Sequence, residues 1–125
     1  MQYASITDQG KIRSLNEDSH FVPTRYTQPC HAFLMAVADG MGGHSAGEVA
    51  SKLAVKSLLS YLEKPGMLEK AQEYPAKVLS EAIFAANEKI WMLSTGSASF
   101  SGMGSTITAA MCFQNQVVEI GRAHV

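Results

Sequence analysis

The sequence predicts a mixed α+β domain, and three observations carry that expectation. Ala32 to Ala38 (AFLMAVA) is a continuous apolar run, short enough to be a strand buried in a sheet. Ser45 to Glu63 and Ala76 to Leu93 instead repeat their apolar residues at helical spacing. Beyond them, Thr106 to Phe113 and Gln116 to Ile120 are rich in β-prone residues and flank the turn pair Gln114-Asn115. At 125 residues, with 46% hydrophobic and 17% charged side chains, the chain has the size and composition of one globular domain rather than of a disordered segment.

Each element has its own local reason. Gln2 to Thr7 alternates polar Tyr3, Ser5 and Thr7 with apolar Ala4 and Ile6, the period of a short strand. Asp8-Gln9-Gly10 is a turn signal. Ser19 to Val22 reads as a second strand, stopped by Pro23, and the polar stretch Thr24 to His31 as a loop. Ser45 and Glu48 have capping-box spacing and open the first helix. Val49, Leu53, Ser57 and Tyr61 form one stripe of it, beside Ala46, Ala50, Ala54, Leu58 and Leu62. Pro65-Gly66 ends that helix. Leu79, Ile83, Ala86 and Ile90 form the buried stripe of the second. Both stripes are read as core packing. Ser94 to Gly104 is rich in Ser and Gly and reads as a loop.

Bulk properties exclude several roles. The net charge of -1 provides no general attraction to nucleic acid or to an anionic membrane surface. No apolar run is long enough to form a membrane segment. The N-terminus, MQYASITDQGKIRS, lacks a basic region followed by an apolar one, so a secretory signal is not expected and a cytoplasmic location is. Cys30 and Cys112 lie far apart in sequence and read as free thiols in a reducing compartment.

The chemistry concentrates in Val37 to Glu48, VADGMGGHSAGE. Gly42 and Gly47 have the glycine spacing of a P-loop, but Glu48 and Val49 stand where Lys and Ser/Thr are needed, and an acid there repels a triphosphate. A dinucleotide fingerprint fails as well: Ser45 holds the third glycine position, and Asp39 sits where a pyrophosphate would approach. A carboxylate at a strand end points instead to a cation. Asp39 supplies a hard oxygen, and Gly40 lets its own carbonyl approach the same ion. Such a site suits Mg²⁺ or Mn²⁺ better than zinc. The alternative for this stretch alone is an Asp-Gly turn that binds nothing. Arg13-Ser14-Leu15-Asn16-Glu17-Asp18 adds two adjacent acids and an arginine just before a predicted strand. Adjacent acids are commonly solvated surface, but a nearby guanidinium can grip a phosphate held by metal.

GKIRSLNEDS and AVADGMGGHSAGEVAS together resemble the metal-dependent serine/threonine protein phosphatases of the PPM (type 2C) family, in a compact bacterial form, and SGMGSTITAAM resembles that family's next landmark. The resemblance implies an α-β-β-α sandwich, a central β-sandwich flanked by pairs of helices, with the site at one end between the sheets. It implies hydrolysis of phosphoserine or phosphothreonine in proteins by water activated between two Mn²⁺ or Mg²⁺ ions. Carried over by position, Asp39 resembles the aspartate that bridges both ions, and Gly40 the carbonyl ligand. Glu17 resembles the acid that holds metal-bound waters, Asp18 the acid beside it, and Arg13 the arginine that binds substrate phosphate. The partners implied are a phosphorylated protein and, with it, a cognate serine/threonine kinase.

Many members read D-G-H at this corner, where the histidine protonates the leaving alkoxide. Here that position holds Met41, whose thioether donates no proton. His44 lies three residues later and, with an ordinary pKa of about 6.5, is the candidate donor. The other reading is a histidine in the first turn of the helix with no chemistry.

The family's G-D-S-R segment and further metal aspartates do not occur in the sequence. The expectation is therefore that residues 1–125 form the N-terminal portion of a single phosphatase domain, inactive alone. Glu119 to Val125 (EIGRAHV) can be encoded by the first bases of a common sequencing adapter, so a natural sequence ending at or before Glu119 is expected, against the alternative of a natural tail whose AHV resembles the family. A second function class also stays open: a non-catalytic module that binds a phosphorylated segment or a regulatory partner.

Overall fold

The computed structural model describes residues 3–22, 32–42, 46–113 and 116–125. Two strands come first, β1 (Asp18–Phe21) and β2 (Ala32–Met41), followed by three helices, α1 (Ala46–Leu62), α2 (Met67–Glu73) and α3 (Pro75–Gly96). A short 3-10 turn (Ala98–Phe100) leads into the strand pair β3 (Gly104–Phe113) and β4 (Gln116–His124). The strands form an antiparallel sheet in the order β1-β2-β3-β4. α1 lies across β1, β2 and β3, and α3 across β3 and β4, all on one face. One helical layer on one sheet is half of the expected α-β-β-α arrangement, which bears out the α+β class.

Small residues on both sides set the close approach of α1 to the sheet. Ala46, Ala50 and Ala54 of α1 and Ala36, Ala38 and Ala109 of the sheet are all buried. Larger side chains then fill the volume toward α3: Leu58, Val78, Leu79, Ile90 and Ile107 are essentially without exposure. Each such aliphatic side chain contributes roughly 1.5–3 kcal/mol through removal from water. The predicted stripe of α3 is buried as expected, with Val78 and Ala82 added. In α1 the buried centre falls on Ala50, Ala54, Leu58 and Leu62, while Val49, Leu53 and Tyr61 are half-buried.

Five sequence expectations need correction. Residues 3–7 form no strand, and Ile6 is 93% exposed; alternation makes a strand only where the apolar face is buried, and here Ala4 and Ile6 are both exposed. β2 does not stop at Ala38 but runs on through Asp39, Gly40 and Met41. It is also covered on one face only, because both helices lie on the same side, and Val37 is 58% exposed. The stretch after Pro65-Gly66 contains α2, entered through Gly66 at φ 80°, and α3 continues to Gly96, into the region read as loop. His44, Ser45, Cys30, the whole Thr24–His31 loop and the Gln114-Asn115 turn lie outside the described residues. Cys112 is buried and free, as expected. Among the described residues no helix is long and apolar enough to cross a membrane.

Candidate metal and phosphate site

The site is built where the β1–β2 edge meets the start of α1. Antiparallel pairing sets Asp18 directly opposite Asp39. Both are exposed, on the sheet face away from the helices. Like charges placed opposite one another in this way repel, and among the described residues neither Asp18 nor Asp39 has an ion-pair partner. Because Asp39 and Gly40 are strand residues, the reading of an Asp-Gly turn is excluded.

Asp39 is held from its other side by hydroxyl groups. The β2–β3 pairing steps from Val37↔Thr108 to Gly40↔Ser105. Between these pairs the Asp39 N–H donates a long 3.4 Å bond to Thr106 Oγ1, and Ser105 Oγ donates to the Asp39 carbonyl at 3.0 Å. The Ser105 hydroxyl also lies 2.8 Å from the Thr106 carbonyl, so its one proton is shared. Ser105 is buried, and its backbone exchanges two hydrogen bonds with Val125, at 2.6 and 2.8 Å.

Gly40 is buried and donates its N–H to the Glu17 carbonyl at 3.0 Å, which extends the β1–β2 pairing by one step. The physical need for glycine at this position differs from the sequence expectation. A Cβ on Gly40 would run into the carbonyl of Gly47 in the first turn of α1, so what requires the bare backbone is the approach of the helix.

The segment before β1 is tied by its own side chains. Asp8 Oδ1 accepts the Gly10 N–H at 2.7 Å, forming the predicted turn, and Gln9 Nε2 donates to the Arg13 carbonyl at 2.7 Å. Asn16 accepts the Asp18 N–H at 3.0 Å and donates to Thr7 Oγ1 at 2.9 Å. These bonds bring Arg13, Glu17 and Asp18 together with Asp39 and Gly40 around one cleft of about 400 Å³. The three acids do not converge, however: among the described residues no group of three His, Cys, Asp or Glu side chains could hold a metal ion. Asp18 and Asp39 share the outer face, whereas the carboxylate of Glu17 turns toward α1 and lies against Gly47.

Sequence reasoning did not find Gly47, Ser105, Thr106 or Asn16. The available signals were weak: glycine at the second helical position, consecutive hydroxyl residues at a strand start, and an Asx residue two positions before Asp18.

The family model described as Protein phosphatase 2C matches residues 11–120. The serine/threonine phosphatase stp of Listeria monocytogenes is 40% identical over 113 residues, covering 90% of this chain and 43% of that protein. The serine/threonine protein phosphatase PstP of Mycobacterium tuberculosis is 36% identical over 125 residues, all of this chain and 21% of that protein. The chain therefore spans less than half the length of these relatives. A crystal structure of the mycobacterial PstP superposes with a TM-score of 0.76 at 32% identity, covering 99% of this chain and 46% of that one. The PstP catalytic domain in complex with two manganese ions superposes with a TM-score of 0.75 at 34% identity, covering 99% and 47%.

Proposed function

The chain belongs to the protein phosphatase 2C family, and from that premise we propose that its protein hydrolyses phosphoserine and phosphothreonine in other proteins, with two divalent cations, Mn²⁺ or Mg²⁺, held at the Asp39–Gly40 end of β2. The observation that carries this reading is the cross-strand pair Asp18↔Asp39 at the mouth of a cleft that Arg13 also lines. Two carboxylates that repel each other relax on binding a cation, and hard oxygens match Mg²⁺ and Mn²⁺. Asp39 with the Gly40 carbonyl would hold the metal, with Asp18 and Glu17 beside it. When bound, such cations supply Lewis-acid polarisation of the phosphoryl group and a nucleophile at neutral pH.

The chain's own residues do the positioning. The Arg13 guanidinium, at the same cleft, offers a planar fork to phosphate oxygens. Ser105 and Thr106 fix the backbone of Asp39, so the carboxylate starts from a rigid strand rather than a loop. A phosphorylated protein is the substrate class, and a serine/threonine kinase that makes it is the implied counterpart.

The test uses the full-length protein that carries this chain. Hydrolysis of p-nitrophenyl phosphate and of phosphoserine and phosphothreonine peptides is expected to require Mn²⁺ or Mg²⁺, and Asp39→Asn to abolish nearly all turnover. Full activity after exhaustive chelation, or an Asp39→Asn enzyme within a few-fold of wild type, overturns the reading.

A further inference from the structure

Gly47 lies where three parts of the site touch. It is the second residue of α1 and is buried. A Cβ at this position would stand 2.5 Å from Glu17 Oε1, 2.8 Å from Glu17 Cδ and 3.1 Å from the carbonyl carbon of Gly40. Gly40 meets it reciprocally, since a Cβ there would strike the Gly47 carbonyl. The two glycines thus touch backbone to backbone. The carboxylate of Glu17 occupies the volume that any side chain at position 47 would need. That volume lies in the first turn of α1, where a negative charge is favoured by the unpaired N–H groups of the helix.

We propose that Gly47 is a positioning residue: its missing side chain admits the carboxylate of Glu17 between α1 and β2 and holds it beside Gly40, the residue that follows Asp39 in β2. The inference rests on the reading that this cleft takes divalent cations. The oxygen nearest an added Cβ is the far end of a flexible side chain, whereas the Gly40 carbon belongs to a paired strand. In Gly47→Ala, therefore, Glu17 yields first and swings away, and the strand moves by a few tenths of an ångström at most. Displacing a group that supports a metal site costs about 10–100-fold in metal affinity.

The test is a double-mutant cycle in the full-length protein, with Mn²⁺ binding read by calorimetry. Gly47→Ala is expected to weaken Mn²⁺ binding about tenfold on its own and less than about twofold in the Glu17→Ala background, because the cycle isolates a shared partner. At saturating Mn²⁺ the KM for p-nitrophenyl phosphate should stay unchanged while kcat falls. An equal loss in both backgrounds, or no loss, overturns the proposal. If Gly47→Ala does not fold, adding Glu17→Ala decides the matter. Restored folding identifies the carboxylate as the obstacle, and continued failure places the obstacle in the Gly40 backbone and overturns the proposal. If the wild type binds no Mn²⁺, the cation reading fails. The ¹³C shift of the Glu17 carboxyl in Gly47→Ala then still decides the positioning claim: a displaced resonance supports it and an unmoved one overturns it.

Discussion

Ser105→Ala tests whether the hydroxyl clamp on Asp39 contributes to the site. The substitution removes one oxygen and leaves the backbone and the packing shape in place. Ser105 is 2% exposed, and its hydroxyl proton, shared with the Thr106 carbonyl at 2.8 Å, is lost to the Asp39 carbonyl at 3.0 Å. No water can readily substitute at the hydroxyl's position, so the carbonyl is left short of a partner on that side. The cost is then about 1–2 kcal/mol, above the net value of an exposed bond and below that of a fully orphaned buried group. In a domain of this size each kcal/mol lowers Tm by roughly 3–5 °C. Thr106→Val is the internal comparison. It removes a 3.4 Å contact, long for an N–H···O bond, so it should cost less than about 0.5 kcal/mol. The assay is thermal unfolding of the full-length protein by circular dichroism with and without Mn²⁺. Ser105→Ala should lower Tm and also shrink the rise in Tm that Mn²⁺ produces, because the loosened strand no longer presents Asp39 in one place. A Tm within about 1 °C of wild type, with the Mn²⁺ increment intact, would refute the clamp.

Two further outcomes are expected. Arg13→Ala should lower kcat/KM for p-nitrophenyl phosphate by roughly 10–100-fold, the worth of a charge-assisted hydrogen bond of about 1.5–3 kcal/mol; unchanged kinetics would contradict a phosphate contact. Away from the cleft, the Lys70 ammonium at 3.1 Å and the Tyr61 hydroxyl at 2.9 Å both donate to Glu81 Oε2, and together they hold the Glu81 carboxyl below its ordinary value of 4.5. A carboxyl lowered by folding stabilises the fold above its unfolded pKa and loses that contribution as pH falls through the lowered value. Lys70→Met should therefore move the midpoint of acid unfolding to higher pH, followed by circular dichroism; an unmoved midpoint would show that the pair contributes nothing.

The parts of the fold that were legible in the sequence are those whose burial repeats along the chain. α3 announces itself through Leu79, Ile83, Ala86 and Ile90, all buried as read. β3 and β4 are flagged by β-prone runs on either side of a turn pair. α2 left no such trace. It has seven residues, only Ala71 among them is buried, and the Pro65-Gly66 signal before it reads as a stop. The exposed face of β2 was illegible for a related reason. A continuous apolar run shows that a strand is apolar on both sides, not whether anything covers the second. At the site, residue types that carry chemistry could be picked out, and Arg13, Glu17, Asp18, Asp39 and Gly40 do line one cleft. Gly47 could not, because its role is the absence of a side chain and becomes visible only once α1 is laid against Gly40. Ser105, Thr106 and Thr108 follow the same logic. Thr108 Oγ1 accepts the Arg122 N–H at 2.9 Å beside a register shift between Ile107 and Ala109, while Ser105 and Thr106 bond the Asp39 backbone between the pairs Val37↔Thr108 and Gly40↔Ser105. A strand start rich in hydroxyls is thus a place where side chains substitute for pairing, and sequence alone does not say which backbone groups they serve.

The uncovered sheet face leads to a prediction about residues 1–125 expressed alone. Val37 at 58% and Val117 at 65% exposure belong to β2 and β4, and Ile6 at 93% lies beside β1. β1 and β4 are the sheet's two edges, and β4 presents nine residues along its length. A free strand edge and an exposed apolar face each favour association with other chains. The cleft adds no counterweight, because its acids are divided between two faces and two cations held close together repel each other unless several carboxylates surround them. The isolated chain is therefore expected to self-associate, to bind Mn²⁺ in a single event with a Kd of about 10⁻⁴ M or weaker, and to leave a phosphopeptide untouched. Val37→Lys, which puts a charge in the middle of the exposed face, should shift it toward monomer without strengthening Mn²⁺ binding, since it leaves every cleft residue in place. Sedimentation velocity and calorimetry on the two chains decide the matter. A monomer that unfolds cooperatively, binds two Mn²⁺ ions tightly and cleaves the phosphopeptide would show that this one sheet and its helices already complete the site.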